Sequence, residues 1–344
     1  MKDKKSNKGC GGKIIIFILL LIGGGLCWMV FGPTVRVPSE KYLYIKTGAT
    51  YSQVMDSLEK NNILSGTFIF DRLAQYTKYD KGVKPGRYKI TQGMSVFNLL
   101  RMLKNGNQSQ VNFIINKLRT REDMARKLGD SFEFDSLSAI SFLNNQDSLS
   151  KYQLDSNTVL TAIIPNTYTF TWNNTPSKIF AKLYREHNKF WNTERKQKAN
   201  DLHLTEKEVY ILASIVEEET IREDDKGKIA SVYLNRLRAG MKLAADPTVK
   251  FAMHQFGIRR ILYGNLLYPS PYNTYLNKGL PPGPICTPSV KTLDAVLNEP
   301  ATDYMFFVAK ADLSGYSHFS SNYQEHAKYA KDYQHALDSL KIQN

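Results

Sequence analysis

The sequence predicts an α+β protein that follows a single membrane-spanning helix. One observation is the length, since 344 residues leave room for two ordinary domains. The second is a long apolar run without charged side chains near the N-terminus. The third is that short strand-like and helix-like segments then alternate irregularly, without the regular repeat that builds a parallel sheet. With 42% hydrophobic and 23% charged residues, the composition excludes a disordered or low-complexity chain.

The composition also limits the cofactors and partners. The cysteines Cys10, Cys27 and Cys286 are too few and too scattered for a disulfide framework or a zinc cluster. Lys and Arg outnumber Asp and Glu by 46 to 32, which gives a net charge of +14. This excess suits a polyanionic partner, whether nucleic acid, an acidic lipid surface or a cell-wall polymer.

Residues 14–31 form the predicted membrane helix, because they carry no charge and reach the lower end of the ~17–25 residues that a bilayer requires. The tail before them, residues 1–13, is rich in lysine, and no comparable basic cluster follows. The positive-inside rule places this tail in the cytoplasm and the rest of the chain outside the inner membrane. A cleaved signal peptide and a lipoprotein cysteine at Cys27 are the alternatives, but the run ends in bulky residues. Export argues against nucleic acid as a partner.

The first region after the membrane helix, residues 36–110, predicts a small α+β domain. Its predicted elements are a strand at 41–47, helices at 52–62 and 68–79, a strand at 87–91 and a helix at 95–104. This order, with Tyr51-Ser52 in the first turn, resembles the LysM fold that binds amino sugars. The alternative is a small module that packs against the rest of the protein and binds nothing.

A polar stretch follows in residues 111–158, where only one short apolar helix is predicted, near 137–143. We expect a loosely packed connecting segment. The last region, residues 159–344, predicts a larger α+β domain with a mainly antiparallel sheet. Its predicted elements are helices at 177–191 and 205–221, strands at 304–309 and 317–322, and a final helix near Glu325.

The helix predicted at 205–221 is the most informative segment for the chemistry of the protein. Thr205 and Glu208 have the spacing of a capping box, which fixes where the helix begins. Apolar side chains then cover most of its circumference, so the helix is expected to be buried. Three consecutive glutamates interrupt this apolar character at residues 217–219.

A carboxyl group at the edge of an apolar helix face is desolvated, which raises its pKa and keeps it protonated near neutrality. A general acid for glycosidic cleavage needs that property. The helical period turns Glu218 away from the apolar face and puts Glu217 and Glu219 at its two edges, so the spacing does not choose between the last two. In the alternative, all three are solvated and pair with Arg222 or Lys226.

Downstream loops rich in Gly, Pro, Asn and Tyr are typical of rigid functional loops. With the helix they form an ordered series of motifs: 212–220, Asn235-Arg236-Leu237, Asp246-Pro247-Thr248, Tyr272-Asn273-Thr274-Tyr275, 279–283, Phe307-Val308-Ala309 and His318-Phe319. This series resembles the endolytic murein transglycosylases, the MltG or YceG-like family. The resemblance covers about residues 160–335.

The resemblance implies that residues 159–344 form the catalytic domain of a membrane-anchored lyase. Such an enzyme cleaves the β-1,4 bond between N-acetylmuramic acid and N-acetylglucosamine in nascent peptidoglycan, leaves a 1,6-anhydro end and terminates glycan elongation. The resemblance implies that Glu217 is the catalytic carboxyl and that no cofactor takes part. The implied partners are glycan strands, the membrane and wall-synthesis enzymes.

The side chains of these loops and of the strand that follows also give a set of candidate substrate contacts. An amide and its flanking tyrosines offer the donors and flat faces that grip N-acetyl sugars. The set comprises Asp246, Thr248, Tyr272, Asn273, Tyr275 and His318. Asp246 has an alternative role as a helix cap, since it precedes Pro247, and structural roles are the alternative for His318 and His326.

Two hypotheses from other classes stay open. One is a non-catalytic wall-binding or cell-division scaffold protein. The other is a hydrolytic muramidase, in which Asp246 supplies the second carboxylate that hydrolysis requires. The chain also has Thr161-Ala162 and Asn166 where the family usually carries acids, so no auxiliary acid is expected at these positions.

Overall fold

The computed structural model describes residues 10–258 and 260–341. In this part of the chain helices predominate and the strands are short, which confirms the predicted α+β class. The chain divides into two compact units. The first holds the described residues up to Asn112 together with Thr169–Asn174, and the second holds Phe113–Tyr168 and the residues from Thr175 onward.

The first unit begins with the apolar helix α1 (Cys10–Phe31). Its segment Lys13–Phe31 has a mean hydropathy of 2.8, and none of it is buried inside the protein. Within residues 10–258 and 260–341, this is the one helix that is long and apolar enough to cross a membrane. Most of the predicted basic tail lies outside the described residues, so the orientation of α1 stays a prediction.

The rest of the first unit follows the predicted order of strands and helices. Its elements are β1 (Tyr42–Ile45), α2 (Tyr51–Lys60), α3 (Phe68–Tyr76), β2 (Gly86–Lys89) and α4 (Val96–Asn105). β1 and β2 pair antiparallel, with Leu43 opposite Tyr88. Leu58, Phe70 and Leu99 are fully buried in the core between the strands and the helices. The LysM-like assignment of 36–110 stays a prediction.

Two further strands, β3 (Gln110–Ile115) and β4 (Asn166–Thr171), pair with each other. The second unit is mostly helical. Its helices are α5 (Arg121–Ser131), α6 (Ser136–Asn144), α7 (Gln146–Ser150), α8 (Pro176–Phe190), α9 (Thr193–Asp201), α10 (Glu206–Glu219), α11 (Glu223–Arg238), α12 (Asp246–Ala252), α13 (Tyr263–Leu266), α14 (Val290–Leu297) and α15 (Tyr323–Lys341). In this unit β5 (Phe306–Ala309) and β6 (Ser317–Ser320) pair as an antiparallel hairpin. Both strands are shorter than the predicted ones at 304–309 and 317–322.

Residues 111–158 are folded, although their polar composition predicted a loosely packed connection. They form β3 and α5 to α7, and Met124, Leu128 and Leu143 are buried. Apolar residues recur every three or four positions, so each short helix buries a narrow stripe and keeps its polar residues outside. α5 and α6 approach closely at Gly129, where a Cβ atom would come within 2.5 Å of the backbone nitrogen of Ser136.

α10 lies in the core of the second unit, and each of its residues 209–216 is buried. The predicted capping box is present, since the Thr205 hydroxyl accepts from the Glu208 N–H at 3.2 Å and the Glu208 carboxylate accepts from the Thr205 N–H at 2.8 Å. α10 ends at Glu219, because Thr220 adopts an extended backbone. The three consecutive glutamates therefore form the last turn of a buried helix.

Candidate active site

The last turn of α10 directs three carboxyl groups to three different surroundings. At about 100° per residue, Glu218 is rotated by about 100° and Glu219 by about 200° from Glu217. Different elements approach each of these sides: α11 and α14 at Glu217, the loop before α5 at Glu218, and a pocket lined by several elements at Glu219. The ionisation of each glutamate is therefore set by its own neighbours.

Glu217 lines a cleft of about 360 Å³. Its Oε2 accepts a hydrogen bond from the hydroxyl of Thr292 and another from Ser289 Oγ at 3.1 Å. The buried Lys226 Nζ lies 3.3 Å from the same oxygen. Burial acts to raise the pKa of Glu217, but the Thr292 hydrogen bond and the Lys226 charge outweigh it, so the pKa lies below its usual value. Glu217 is therefore ionised at neutral pH.

Glu218 forms two ion pairs on another side of the helix. Its carboxylate oxygens lie 3.1 Å from Lys117 Nζ and 3.1 Å from Arg119 Nη2. Both cations precede α5, so these contacts join the end of α10 to the loop that leads into α5. These ion pairs have a structural role, and they place a cation next to each carboxylate oxygen of Glu218.

Glu219 lines a separate pocket of about 410 Å³, which we call the acid pocket. Tyr233 of α11 donates its hydroxyl to Glu219 Oε1 at 2.6 Å. Burial of the carboxyl raises its pKa to about 7, and the charge of Asp246 adds to this effect, whereas the hydrogen bond from Tyr233 opposes it. A substantial fraction of Glu219 therefore stays protonated near neutral pH.

The walls of the acid pocket come from distant parts of the sequence. The residues that line it with the glutamate are Tyr233, Arg236, Ala244, Asp246, Tyr275, Phe306, Phe307, Tyr323 and His326. Tyr275 donates its hydroxyl to Asp246 Oδ1 at 2.6 Å. The guanidinium of Arg236 donates to the carbonyl of Met305 at 2.8 Å and to that of Leu243 at 2.6 Å. Protein contacts thus fix the polar groups of the wall in place.

Asp246 stands in the first turn of α12 but does not cap this helix. The N-cap position belongs to Ala245, and Pro247 follows Asp246 in the first turn, where the fixed φ of proline suits a helix start. Because the side chain of Asp246 is exposed and bonded to Tyr275, its carboxylate is presented to the acid pocket.

Two of the predicted substrate contacts are internal. Thr248 is fully buried, and its hydroxyl donates to the carbonyl of Ala245 at 2.7 Å. Asn273 is also fully buried, and its amide donates to the carbonyls of Leu266 and Tyr268 at 2.9 Å. These side chains hold the loops together and present no surface to a sugar, which corrects the expectation that they bind substrate.

Tyr272 and His318 lie outside the wall of the acid pocket. Tyr272 lines a neighbouring cavity, and its ring centroid is 4.7 Å from that of Phe251. His318 in β6 stacks on Tyr329 of α15, with ring centroids 4.1 Å apart. The histidine on the wall of the acid pocket is His326, which the sequence suggested as structural.

The sequence reasoning missed Tyr233, which binds the carboxyl of Glu219. A signal for it exists in the motif Asn235-Arg236-Leu237. Residues three apart share a helix face, so Tyr233 and Arg236 both face the pocket that this motif marks.

The acid pocket holds two carboxyl groups in different surroundings, since Glu219 is desolvated and Asp246 is exposed. A carboxyl that is partly protonated near pH 7 can donate a proton, and a nearby carboxylate can stabilise a developing positive charge. Glu219 and Asp246 are the two carboxyl groups that line this pocket. Fold and site together define an α+β protein with a two-carboxyl pocket at the end of a buried helix.

Comparison with known proteins identifies the family. The YceG-like family matches residues 43–332, so the chain belongs to the YceG-like family. This match confirms the resemblance that the motifs indicated.

Three similar proteins illustrate the match. A protein of Bacillus subtilis (strain 168) named endolytic murein transglycosylase is 27% identical over 339 residues, which cover 91% of each chain. A protein of the same name from Streptococcus pneumoniae serotype 2 (strain D39 / NCTC 7466) is 25% identical over 91% of this chain, but the match spans only 63% of that relative. A crystal structure of a yceG-like protein from Listeria monocytogenes has the same fold. It superposes with a TM-score of 0.56 at 23% identity and covers 84% of this chain and 99% of its own.

Proposed function

We propose that this chain is a membrane-anchored endolytic murein transglycosylase, a lyase that cuts within nascent peptidoglycan strands. Membership of the YceG-like family and the names of the two curated relatives support the activity. The observation that carries the mechanism is the carboxyl of Glu219, whose pKa is raised to about 7 in a pocket shared with Asp246.

The proposed reaction transfers one proton away from Glu219 and returns one to it. Glu219 protonates the glycosidic oxygen between N-acetylmuramic acid and N-acetylglucosamine, and the bond to C1 of the muramic acid breaks. Asp246 and the acetamido group of the substrate stabilise the positive charge at C1. The Glu219 carboxylate then takes the proton of the C6 hydroxyl, whose oxygen bonds to C1. The muramic acid ends in a 1,6-anhydro ring, and no water is consumed.

The geometry favours Glu219 over Glu217 as the proton donor. The sequence resemblance marks Glu217, and that assignment stays a prediction. However, the hydroxyl of Thr292 and the ion pair with Lys226 lower the pKa of Glu217, whereas burial raises the pKa of Glu219. The Glu217–Lys226 pair is better suited to hold the last turn of α10 against α11.

The membrane topology belongs to the same proposal. The N-terminus lies in the cytoplasm, α1 crosses the inner membrane once, and the residues after α1 lie on the wall side. This orientation follows from the lysine-rich tail and gives the acid pocket access to peptidoglycan. Wall-synthesis enzymes are proposed partners, because nascent strands leave those enzymes at the same membrane surface.

Residues 36–110 are proposed to hold glycan as a LysM-like domain. A groove of about 470 Å³ lies at the end of β1, and Tyr44, Lys46 and Gln53 contribute to its lining. An aromatic face together with ammonium and amide donors suits an amino sugar. This groove is the observation that favours the second candidate, a non-catalytic wall-binding protein.

One experiment tests the proposed activity. The full-length protein in detergent micelles is incubated with uncrosslinked glycan strands, and the strand ends are examined by mass spectrometry. We expect new internal cuts that end in 1,6-anhydro-muramic acid.

Other outcomes would contradict the proposal in distinct ways. Reducing ends, heavier by one water, would show a hydrolytic muramidase with Asp246 as the second carboxylate. Intact strands that sediment with the protein would show a wall-binding protein without activity.

A further inference from the structure

We propose that the cavity beside the acid pocket binds a carboxylate of the peptide stem on the glycan substrate. This inference rests on the proposed function, because it names a second part of the substrate that the same active site recognises. The cavity encloses about 260 Å³ in the second unit, and we call it the stem cavity.

Two arginines give the stem cavity its positive charge. Arg119, Arg121 and His254 line it, and Glu122 is the acidic residue in the lining. Guanidinium groups bind carboxylates through planar pairs of hydrogen bonds, which makes two arginines a suitable receptor for a carboxylate. The lining therefore favours an anionic ligand over a neutral sugar ring.

The two arginines are held in place by protein contacts. Arg119 Nη2 lies 3.1 Å from a Glu218 oxygen, and its guanidinium lies 5.2 Å from the ring centroid of Phe256. Arg121 Nη1 donates to Asn144 Oδ1 at 2.5 Å. These contacts engage one nitrogen of each guanidinium, so further N–H groups remain for a ligand.

Aromatic residues supply another part of the stem-cavity lining. Tyr272 and Phe251 are in ring contact there, with centroids 4.7 Å apart. A short peptide offers both a carboxylate and an apolar backbone or side-chain surface, which such a wall complements. Tyr272, expected from the sequence to contact sugar, is thereby assigned to the peptide part of the substrate.

The position of the stem cavity relative to the acid pocket supports one continuous substrate. α12 begins at Asp246 in the acid pocket, and its last two residues, Phe251 and Ala252, line the stem cavity. At 1.5 Å per residue, the two ends of α12 are roughly 10 Å apart. The loop behind it connects the same two places, since Tyr272 lines one cavity and Tyr275 the other. A glycan at the acid pocket can thus extend a peptide stem into the stem cavity.

The test compares two substrates and one substitution. The full-length protein is given uncrosslinked strands that carry peptide stems, or the same strands after an amidase has removed the stems. We expect the wild-type protein to cut stem-bearing strands with a kcat/KM about tenfold higher, the effect of one charge-assisted hydrogen bond. Arg121→Gln is expected to lose this preference and to cut both substrates at the rate of the stripped strands.

Arg126→Gln is the matched control on α5, because Arg126 is exposed and its guanidinium lies 3.7 Å from Asp123, outside the stem cavity. This variant is expected to keep the tenfold preference. Equal wild-type rates on the two substrates would overturn the proposal, and so would an Arg121→Gln variant that keeps the preference. Failure of the wild-type protein to cut either substrate would instead contradict the proposed function. Binding of a free stem peptide to the wild-type protein, measured by calorimetry, provides a readout that does not depend on the variant.

Discussion

Glu217 and Glu219 are two positions apart on one helix, yet their pKa values move in opposite directions from the ordinary value of 4.5. Both carboxyls are desolvated, which acts to raise the pKa. Glu217 gains a buried lysine and two hydroxyl donors, which favour the charged form, whereas Glu219 gains one tyrosine and the negative charge of Asp246. At the residue scale, the neighbouring elements therefore decide which carboxyl can act as an acid.

Tyr233→Phe should move the pH profile of cutting to higher pH. The hydroxyl of Tyr233 stabilises the ionised form of Glu219, so its removal raises the pKa further above about 7. Activity of a general acid is present below its pKa and is lost as the pH rises through it. The alkaline limb of a plot of kcat/KM against pH measures this shift in the pKa of Glu219. A limb that moves to lower pH in Tyr233→Phe would contradict the prediction.

Asp246→Asn should move the same limb in the opposite direction. The negative charge of Asp246 raises the pKa of Glu219, so a neutral amide lets that pKa fall toward the ordinary value. We also expect a rate loss of about tenfold or more at the optimum, because the charge at C1 loses a stabilising carboxylate. Profiles of Asp246→Asn and Tyr233→Phe measured in the same buffers test both signs. If the alkaline limb of the pH profile is unchanged in Asp246→Asn, the charge of Asp246 does not raise the pKa of Glu219.

The residues of the acid pocket were only partly predictable from the sequence. The motifs led to Asp246 and Tyr275, since they cluster in loops that carry function. They also led to Thr248 and Asn273, because a motif does not tell whether its polar groups face a cavity or bind the backbone of their own loop. The helical period left two edge positions open at 217 and 219, and choosing between them requires knowing which elements pack on each side.

At the scale of elements, α10 is the best predicted part of the chain. Its start follows from the capping box at Thr205 and Glu208, and its burial from the apolar residues around its circumference. Residues 111–158 were predicted least well. Their short helices bury only narrow stripes, and these become apparent once the partner helices, such as α6 against α5, are in place.

Thr205→Ala should destabilise the protein by about 1 kcal/mol, because the N-terminal N–H groups of α10 lose their hydroxyl acceptor. Urea unfolding followed by circular dichroism measures this free energy. Thr205→Ser keeps the acceptor and is the control, expected within a few tenths of a kcal/mol of the wild-type protein. Equal stability of Thr205→Ala and the wild-type protein would mean that the cap does not hold α10.

For the whole molecule, the composition and the order of elements were sufficient to predict the α+β class and the apolar helix. The structure adds how distant loops meet at the end of α10. This arrangement affects the stability of the folded protein, because Glu219 is desolvated in the acid pocket and its ionised form is costly to bury.

Glu219→Gln should stabilise the folded protein more at pH 8 than at pH 5. The pKa of Glu219 is about 7 in the folded protein and 4.5 as its ordinary value, so its contribution to stability falls as the pH rises from about 4.5 through 7. A glutamine does not ionise, so its side chain adds no such pH dependence. The gain in unfolding free energy of Glu219→Gln over the wild-type protein therefore grows with pH and reaches up to about 3 kcal/mol above pH 7. Thermal unfolding of both proteins at pH 5 and pH 8 measures it. A difference between variants that is the same at both pH values would contradict the raised pKa.

The most direct measurement compares Glu219→Gln with Glu217→Gln in the glycan-cutting assay at pH 6.5, with folding of each variant verified by circular dichroism. We expect Glu219→Gln to lose at least about 100-fold in rate, since it removes the general acid, while Glu217→Gln still produces 1,6-anhydro ends. Full activity of Glu219→Gln, with loss confined to Glu217→Gln, would contradict the assignment of the proton donor to the acid pocket.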